Sequence, residues 1–391
     1  SQANFNLGHT RMNDVSPPID PYQSYRALRD DAPICQLEAG GPWQISRHTD
    51  VHQVLKDNET FSSEVSLRPP EARGQPSMLF SDPPLHHRLR KLVSSAFKPS
   101  HIERQADRIT ARAELLIKEL PRGESVDLVT TLAAPLPVMV IAEMLGVEDG
   151  NLLTFKNWSD AIFSNIGDIL FGTPSAEAEQ AALEMDGYFL EQIEAIRQRP
   201  QPHLLGRLVA TKTDEGHLNN EELLSFCRLL LIAGNETTTG LITASARIFH
   251  EIPETLPAIR NNPELIPTFI EEALRYYSPF SATVRRTTRA VTLGGVDIPK
   301  GELLIPLIAS ANRDERVFDQ AETFQIDRNP NPHLALGFGI HFCLGAHLAR
   351  LEGKIAVQCL ADQFQSIRLA DPSQTEVGGL GGPKLMNVIL T

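Results

Sequence analysis

The sequence is short of the residues that build zinc ribbons and disulfide frameworks. Its 391 residues hold four cysteines, at 35, 227, 343 and 359, and no two stand in a C-x-x-C pair. That scatter excludes a thioredoxin-type motif and a dense disulfide scaffold, and it fits a reducing compartment. Long apolar runs are also missing. No stretch of about 20 apolar residues occurs, and no basic segment leading into an apolar one opens the chain. Neither export nor a membrane anchor is expected, and a cytoplasmic location is. Basic residues are outnumbered, 36 Lys+Arg against 49 Asp+Glu, giving a formal net charge of −13. That balance argues against nucleic acid as a partner. Internal repeats, low-complexity tracts and Gly/Ser-rich linkers are absent. What remains, 41 % hydrophobic and 22 % charged, is the composition of a globular chain able to bury a large core. Length alone, at roughly 150 residues per domain, suggests two or three domains. The missing linker argues for fewer.

The organisation follows from punctuation and periodicity. Residues 1–80 are rich in Pro and turn signals, with short candidate strands at Ile34–Leu37 and Trp43–Ser46. From Pro84 to about Val209 the pattern is mostly helical, broken at Pro99, Gly123 and near Pro174. His101–Leu120 reads as one amphipathic helix ended by Pro121. A longer helix starts at Asn219 or Asn220, a capping residue followed by Glu221 and Glu222, and runs to Glu251, where Pro253 stops it. At about 30 residues it spans ~45 Å. Leu223, Leu224 and the run Leu229–Ile232 make it apolar on most sides, as a buried central helix must be. The next helix covers Pro263–Tyr277 and ends before Pro279. Strands are expected around Thr283–Thr288 and Val291–Ile298, and a last helix over Leu344–Phe364.

Four segments carry chemistry. Gly339-Ile340-His341-Phe342-Cys343-Leu344-Gly345 opens the last helix. A thiolate at a helix N-terminus is stabilised by the dipole and by unsatisfied N–H groups, and flanking glycines let backbone approach a flat ligand. A single Cys without a second Cys or an adjacent His suits one axial bond to a haem iron. It also suits a buried structural thiol. Ala233-Gly234-Asn235-Glu236-Thr237-Thr238-Thr239 sets a Gly, an acid and hydroxyls in the middle of the long apolar helix. Such a group can bring protons into an apolar cavity, or the Thr side chains can simply bond back to the preceding turn. Glu272 and Arg275 share a helix face at i, i+3, and Arg328 can complete a buried triad with them. His86 and Arg90, at i, i+4, can bind an anionic group such as a propionate or form an ordinary solvated basic face.

Taken together and in this order, these segments resemble the cytochrome P-450 superfamily of haem-thiolate monooxygenases, in its soluble bacterial form. The resemblance covers about Asp82 to Leu360 and, more loosely, the ends. It implies a mainly α-helical fold, one domain over 1–391, with the β-rich part drawn from residues 1–80, 280–330 and 365–391. It implies haem b between the long central helix and the Cys-loop helix. Cys343 matches the axial thiolate that also binds the metal, and electron donation from it favours O–O cleavage. His86, Arg90, Arg285 and His341 match residues that hold the haem propionates. Glu272, Arg275 and Arg328 match the structural triad, and Glu236 with Thr237 matches the acid–alcohol pair that guides protons to dioxygen. One position departs from the family pattern. Leu336 stands where a Phe usually shields the sulfur side of the haem, which puts the usual packing and potential at the thiolate in question.

The implied reaction inserts one atom of dioxygen into a small or medium apolar substrate, by hydroxylation or epoxidation. Electrons come from NAD(P)H through a ferredoxin or flavodoxin and its reductase. No reductase domain follows Thr391, so the donor is expected to be a separate protein. Arg88, Lys91, Lys98, Arg104, Arg108, Arg112 and Arg350 are candidates for a basic patch facing an acidic ferredoxin. Pocket candidates are Phe226, Leu230, Ala233, Gly234, Phe280, Ala282 and Val284, within Phe226–Thr237 and Phe280–Val284. The segments Pro69–Phe80, Asn165–Ala178 and Leu380–Pro383 are expected to join them. Core packing explains each of these residues equally well. Two rivals stand beside this reading: a peroxide-driven haem-thiolate enzyme and a non-catalytic haem-thiolate sensor.

Overall fold

Helices dominate and the strands are short. A computed structural model describes residues 21–36, 38–66, 77–147, 149–165, 173–214, 216–372 and 382–391. The chain divides into two compact units. The larger comprises the chain up to Phe61, Asp107–Pro135 and Glu236–Thr391, and the smaller comprises Ser62–Ala106 and Leu136–Asn235.

In the larger unit, strands β1 (Ile34–Gln36), β2 (Trp43–Ile45), β3 (Phe61–Ser62), β5 (Arg285–Thr287) and β8 (Leu303–Pro306) form a sheet ordered β1-β2-β8-β5-β3. β2 and β8 pair in parallel, Trp43 opposite Leu304, while β5 and β8 are antiparallel. Apolar side chains from these strands and the helix His48–Lys56 close a core around Ile45, Val51, Phe61 and Leu304. Strands β4 (Ser125–Asp127), β10 (Asn387–Leu390) and β9 (Ile367–Leu369) make a second, antiparallel sheet in that order. β4 lies outside the segments expected to supply strands. Three residues are too few for a period-2 signal, and only pairing with β10 orders them. The segment Val291–Ile298 is a hairpin of β6 (Val291–Leu293) and β7 (Val296–Ile298). Its turn, Gly294-Gly295, has φ of +53° and +83°, the left-handed conformation that a two-residue hairpin turn needs.

The smaller unit is helical. The helix expected over His101–Leu120 is two helices, Pro99–Glu103 and Ala106–Lys118, the second lying in the larger unit. Phe155, Trp158, Tyr188 and Phe189 pack edge-to-face and tilted, with centroids 5.2–6.1 Å apart, and join the helices Leu152–Phe163 and Ala176–Gln198. Trp158 donates its Nε1–H to Glu184 at 2.9 Å.

The longest helix, Asn220–Glu251, starts on a reciprocal cap. Asn219 Oδ1 accepts from the Glu222 N–H at 2.9 Å, and Glu222 Oε2 accepts from the Asn219 N–H at 3.0 Å. It ends before Pro253, as the sequence predicts. A short helix, Thr255–Asn261, follows, and the next, Ile266–Tyr277, is preceded by a single 3₁₀ turn at Pro263–Leu265. The last long helix covers Ala346–Gln363. None of the helices among the described residues is long and apolar enough to cross a membrane.

Two buried carboxyls set testable stability terms in the larger unit. Glu272 is fully buried between Arg275 and Arg328. Glu272→Gln leaves two buried guanidinium groups without a counter-charge, so chemical denaturation should show a loss of about 3–5 kcal/mol. Glu352, 1 % exposed on the Ala346–Gln363 helix, is pushed by burial from the ordinary 4.5 up to about 8. The folded chain holds that proton where the unfolded chain has released it. Stability should therefore fall as pH rises from about 4.5 to about 8. Glu352→Gln should remove that part of the slope in urea titrations repeated across this range.

Candidate active site

The Cys343 loop is built from backbone geometry. Gly337 and Gly339 have φ of +73° and +69°, which side chains other than glycine's tolerate poorly. A Cβ on Gly339 would lie 2.8 Å from the Leu55 carbonyl oxygen, so this glycine is also a packing requirement. The Cys343 N–H donates to the Leu336 carbonyl at 2.8 Å, which closes the loop. That contact is main chain only, so Leu336 in place of an aromatic residue leaves it intact. Gly345 caps the Ala346–Gln363 helix, and a Cβ there would sit 4.0 Å from Cys343 Sγ.

Cys343 itself is part-exposed, and its neighbour Phe342 is 40 % exposed. Cys227, by contrast, is fully buried, and burial pushes its thiol far above the ordinary range. The structure therefore distinguishes an accessible thiol at a helix start from an inert core thiol. Among the described residues, no three His, Cys, Asp or Glu side chains gather as a metal site. A lone thiolate suits a metal that carries its other ligands with it, as haem iron does. The donor chemistry and the glycine-built loop fit that group.

The middle of the long helix also has an unusual exposure pattern. Leu241–Ala246 are all buried, yet Ala233 is exposed and Gly234, Glu236 and Thr237 are part-exposed. Small residues leave this stretch of the helix open, while Thr238 and Thr239 face inward. Thr239 Oγ1 donates to the Ala133 carbonyl at 3.0 Å. Further along the helix, Thr243 bonds back to Thr239 at 3.0 Å and Ser245 to Leu241 at 2.8 Å. On the smaller unit's side, Asn235 Nδ2 donates to Ser159 Oγ at 3.3 Å, and a Cβ on Gly234 would meet Ile141 at 3.1 Å. Gly234 is thus where the helix approaches Pro135–Leu145 closely.

The other predicted residues fall into the two units. In the smaller one, His86 is buried and Arg90 half-buried, one turn apart on the helix Leu85–Ser94. Phe226 packs edge-on to Phe97 at 6.1 Å, and Leu230 is 9 % exposed. In the larger one, Arg285 is buried at the start of β5 and donates to its neighbour's carbonyl, Val284, at 2.8 Å. His341 is part-exposed in the 3₁₀ turn Gly339–His341. Phe280 packs against the sheet core, while Ala282 and Val284 are part-exposed. Of the pocket segments, 69–76, 166–172 and 380–381 lie outside the described residues.

The carboxylate at Glu272 gathers the expected triad. Arg275 donates Nε and Nη2 to it at 2.8 and 2.7 Å, and Arg328 Nε reaches both oxygens at 3.0 and 3.1 Å. Asn331 Nδ2 and the Gln325 N–H complete the shell at 3.1 and 2.9 Å. Sequence reasoning missed a second group next door. Glu271 pairs two-pronged with Arg350, at 2.6 and 2.8 Å, and with His333 Nε2 at 3.0 Å. Burial alone would raise the Glu271 pKa, but Arg350 and His333 outweigh it and hold the carboxyl at about 2. The available signal was the doubled acid, Glu271-Glu272. Nothing local said that its two members face different partners.

Comparison with known proteins identifies the family. The family model for cytochrome P450 matches residues 43–378. The putative cytochrome P450 YjiB of Bacillus subtilis is 37 % identical over 376 residues, covering 94 % of this chain and 93 % of the relative. The crystal structure of CYP109B1 from Bacillus subtilis superposes with a TM-score of 0.85 at 36 % identity, covering 94 % of this chain and 99 % of that one. CYP109E1 from Bacillus megaterium in complex with testosterone gives 0.84 at 35 % identity, covering 95 % and 99 %. With its accessible thiol at a glycine-built helix start, this chain belongs to the cytochrome P450 family of haem-thiolate monooxygenases, whose members bind haem b through an axial cysteine.

Proposed function

We propose that Cys343 is the axial ligand and that this chain oxygenates an apolar organic molecule by hydroxylation or epoxidation. The observation that carries the reading is Cys343 itself: part-exposed, tied to Leu336 through its own N–H, and set at the start of an 18-residue helix. The helix dipole favours the ionised sulfur there. When bound, haem supplies the activation of dioxygen and the one-electron chemistry. The protein supplies the rest. His86, Arg90, Arg285 and His341 are cationic or hydrogen-bonding groups of the kind that hold carboxylates, and they anchor the propionates. Thr237, with Glu236 before it, is part-exposed on a helix whose stretch Leu241–Ala246 is buried throughout. Glu236 collects protons at its carboxyl and Thr237 passes them on through its hydroxyl, as a positioned acid and alcohol can in a site that excludes bulk water. All 391 residues serve this one activity as a single domain, in the cytoplasm.

The substrate is apolar, because Phe226, Leu230, Ala233, Phe280, Ala282 and Val284 offer no charged group to hold a polar one. A relative that carries testosterone supports a compact polycyclic or similarly apolar substrate. The electron donor is a ferredoxin or flavodoxin served by an NAD(P)H reductase. Several cations considered for its docking are already engaged within the chain. Arg88 pairs with Glu222 at 2.5 Å, Lys91 with Asp214 at 2.7 Å and Arg350 with Glu271 at 2.6 Å. Lys98 and Arg104, both exposed on the smaller unit, are the better contacts for an acidic donor.

A substrate-library titration followed by the low- to high-spin shift of the haem band tests both haem site and substrate class. Apolar compounds should give the shift, and a library response confined to charged compounds overturns the substrate assignment. Cys343→Ala should lose the thiolate-specific absorption band of the reduced carbon monoxide complex; a variant that keeps the band refutes the ligand assignment. Thr237→Ala should retain haem while product per NAD(P)H consumed falls by about 100-fold, with hydrogen peroxide accumulating instead. Full coupling in that variant would exclude the proton-delivery role.

A further inference from the structure

The Glu271 cluster is not used by the reaction as derived above, yet it holds both ends of the Cys343 loop. His333 stands where the chain enters the loop, and Arg350 stands on the helix that leaves it. Glu271, from the Ile266–Tyr277 helix, ties them together, with Arg350 Nε and Nη2 at 2.6 and 2.8 Å and His333 Nε2 at 3.0 Å. His333 Nδ1 accepts from the Ala335 N–H at 3.2 Å, so Nε2 is the nitrogen that donates to Glu271. Next to it, the Leu334 N–H donates to Asn312 Oδ1 at 2.7 Å. The entering segment is therefore fixed two residues before Leu336, whose carbonyl accepts from Cys343.

Arg350 is also aimed at the sulfur's end of its helix. Arg350 sits in the second turn of the helix Ala346–Gln363, whose N-cap Gly345 lies two residues after Cys343, and helical side chains lean toward the N-terminus. The pairing with Glu271 raises the Arg350 pKa against the effect of burial, and negative charge at Cys343 adds to the rise. Arg350 therefore feels the sulfur, and by the same Coulomb interaction the sulfur feels Arg350. Side-chain exposures of 27 % for Arg350, 29 % for Glu271 and 4 % for His333 leave this interaction only partly screened.

We propose that Glu271, Arg350 and His333 are positioning residues that clamp the Cys343 loop and set the charge felt at its sulfur, and through it the reduction potential of the iron. The inference rests on Cys343 being the ligand. Its logic is a balance of two charges. Arg350 alone would draw electron density toward itself and favour the reduced iron, while Glu271 offsets that cation. Removing the acid unmasks the guanidinium, and removing the guanidinium leaves the acid uncompensated. A clamp that acted only mechanically would be loosened by either change and would shift the potential the same way.

Potentiometric titration of the haem-loaded protein separates these cases. Glu271→Gln should raise the midpoint, Arg350→Gln should lower it, and the double variant should return toward the unsubstituted value. Arg350→Lys, which keeps the charge, should lie closer to the unsubstituted protein than Arg350→Gln does. Shifts of the same sign in Glu271→Gln and Arg350→Gln, or no shift in either while the carbon monoxide complex keeps its thiolate band, overturn the inference. Should Arg350→Gln not retain haem, Glu271→Gln decides by its sign, and an unchanged or lowered midpoint counts against the charge balance. Absence of the thiolate band from the unsubstituted protein would instead refute the ligand assignment, and the inference with it.

Discussion

One buried carboxylate organises the part of the chain that has least regular structure. Glu272 is inaccessible to water and is met by two guanidinium groups, so its neighbourhood carries an excess of positive charge. An arrangement like this is stable only if the remaining N–H groups find acceptors. They find them in main-chain carbonyls. Arg275 Nη1 reaches Asn312 and Ala321 at 2.9 and 2.8 Å, and Arg328 Nη1 reaches Asp319 at 2.8 Å. Residues 312–331, largely without helix or strand, are thereby pinned by side-chain charges in place of a backbone ladder. Asn312 extends the chain of contacts by accepting the Leu334 N–H at 2.7 Å, at the entrance of the Cys343 loop.

Two adjacent acids on the same helix divide the work. Successive helical residues point about 100° apart, so Glu272 turns into the core while Glu271 turns toward the Cys343 loop and the helix that follows it. The first acid orders the long irregular segment, and the second joins the segment's far end to the helix carrying Arg350. A linear reading sees Glu271-Glu272 as one acidic run. The packing makes it two sites with different partners and different consequences.

The residues that were legible in sequence are those whose chemistry is local. Gly339 and Gly345 around Cys343 announce a tight loop at a helix start, and the loop forms with Gly337 and Gly339 left-handed and a main-chain closure. The Asn219–Glu222 spacing gives the cap of the long helix, and Pro253 gives its end. The i, i+3 relation of Glu272 and Arg275 was legible too. Arg328 was harder, because it is 56 residues from Glu272 and its assignment needed the family resemblance. Strand β4 and the split of 99–118 into two helices were not legible, because pairing and packing decide such short elements.

By itself the sequence determined the element types with strong periodicity, the glycine-flanked thiol at a helix start and the family. These follow from spacing along the chain, which local sterics, capping and turn chemistry convert directly into structure. The tertiary structure alone decided that Cys227 is entombed while Cys35, Cys343 and Cys359 are part-exposed. It alone showed that Gly234 is a packing position against Ile141, and that Arg350 pairs with Glu271. Burial and long-range ion pairing depend on residues far apart in sequence, and a partner tens of residues away leaves no periodic trace in the chain.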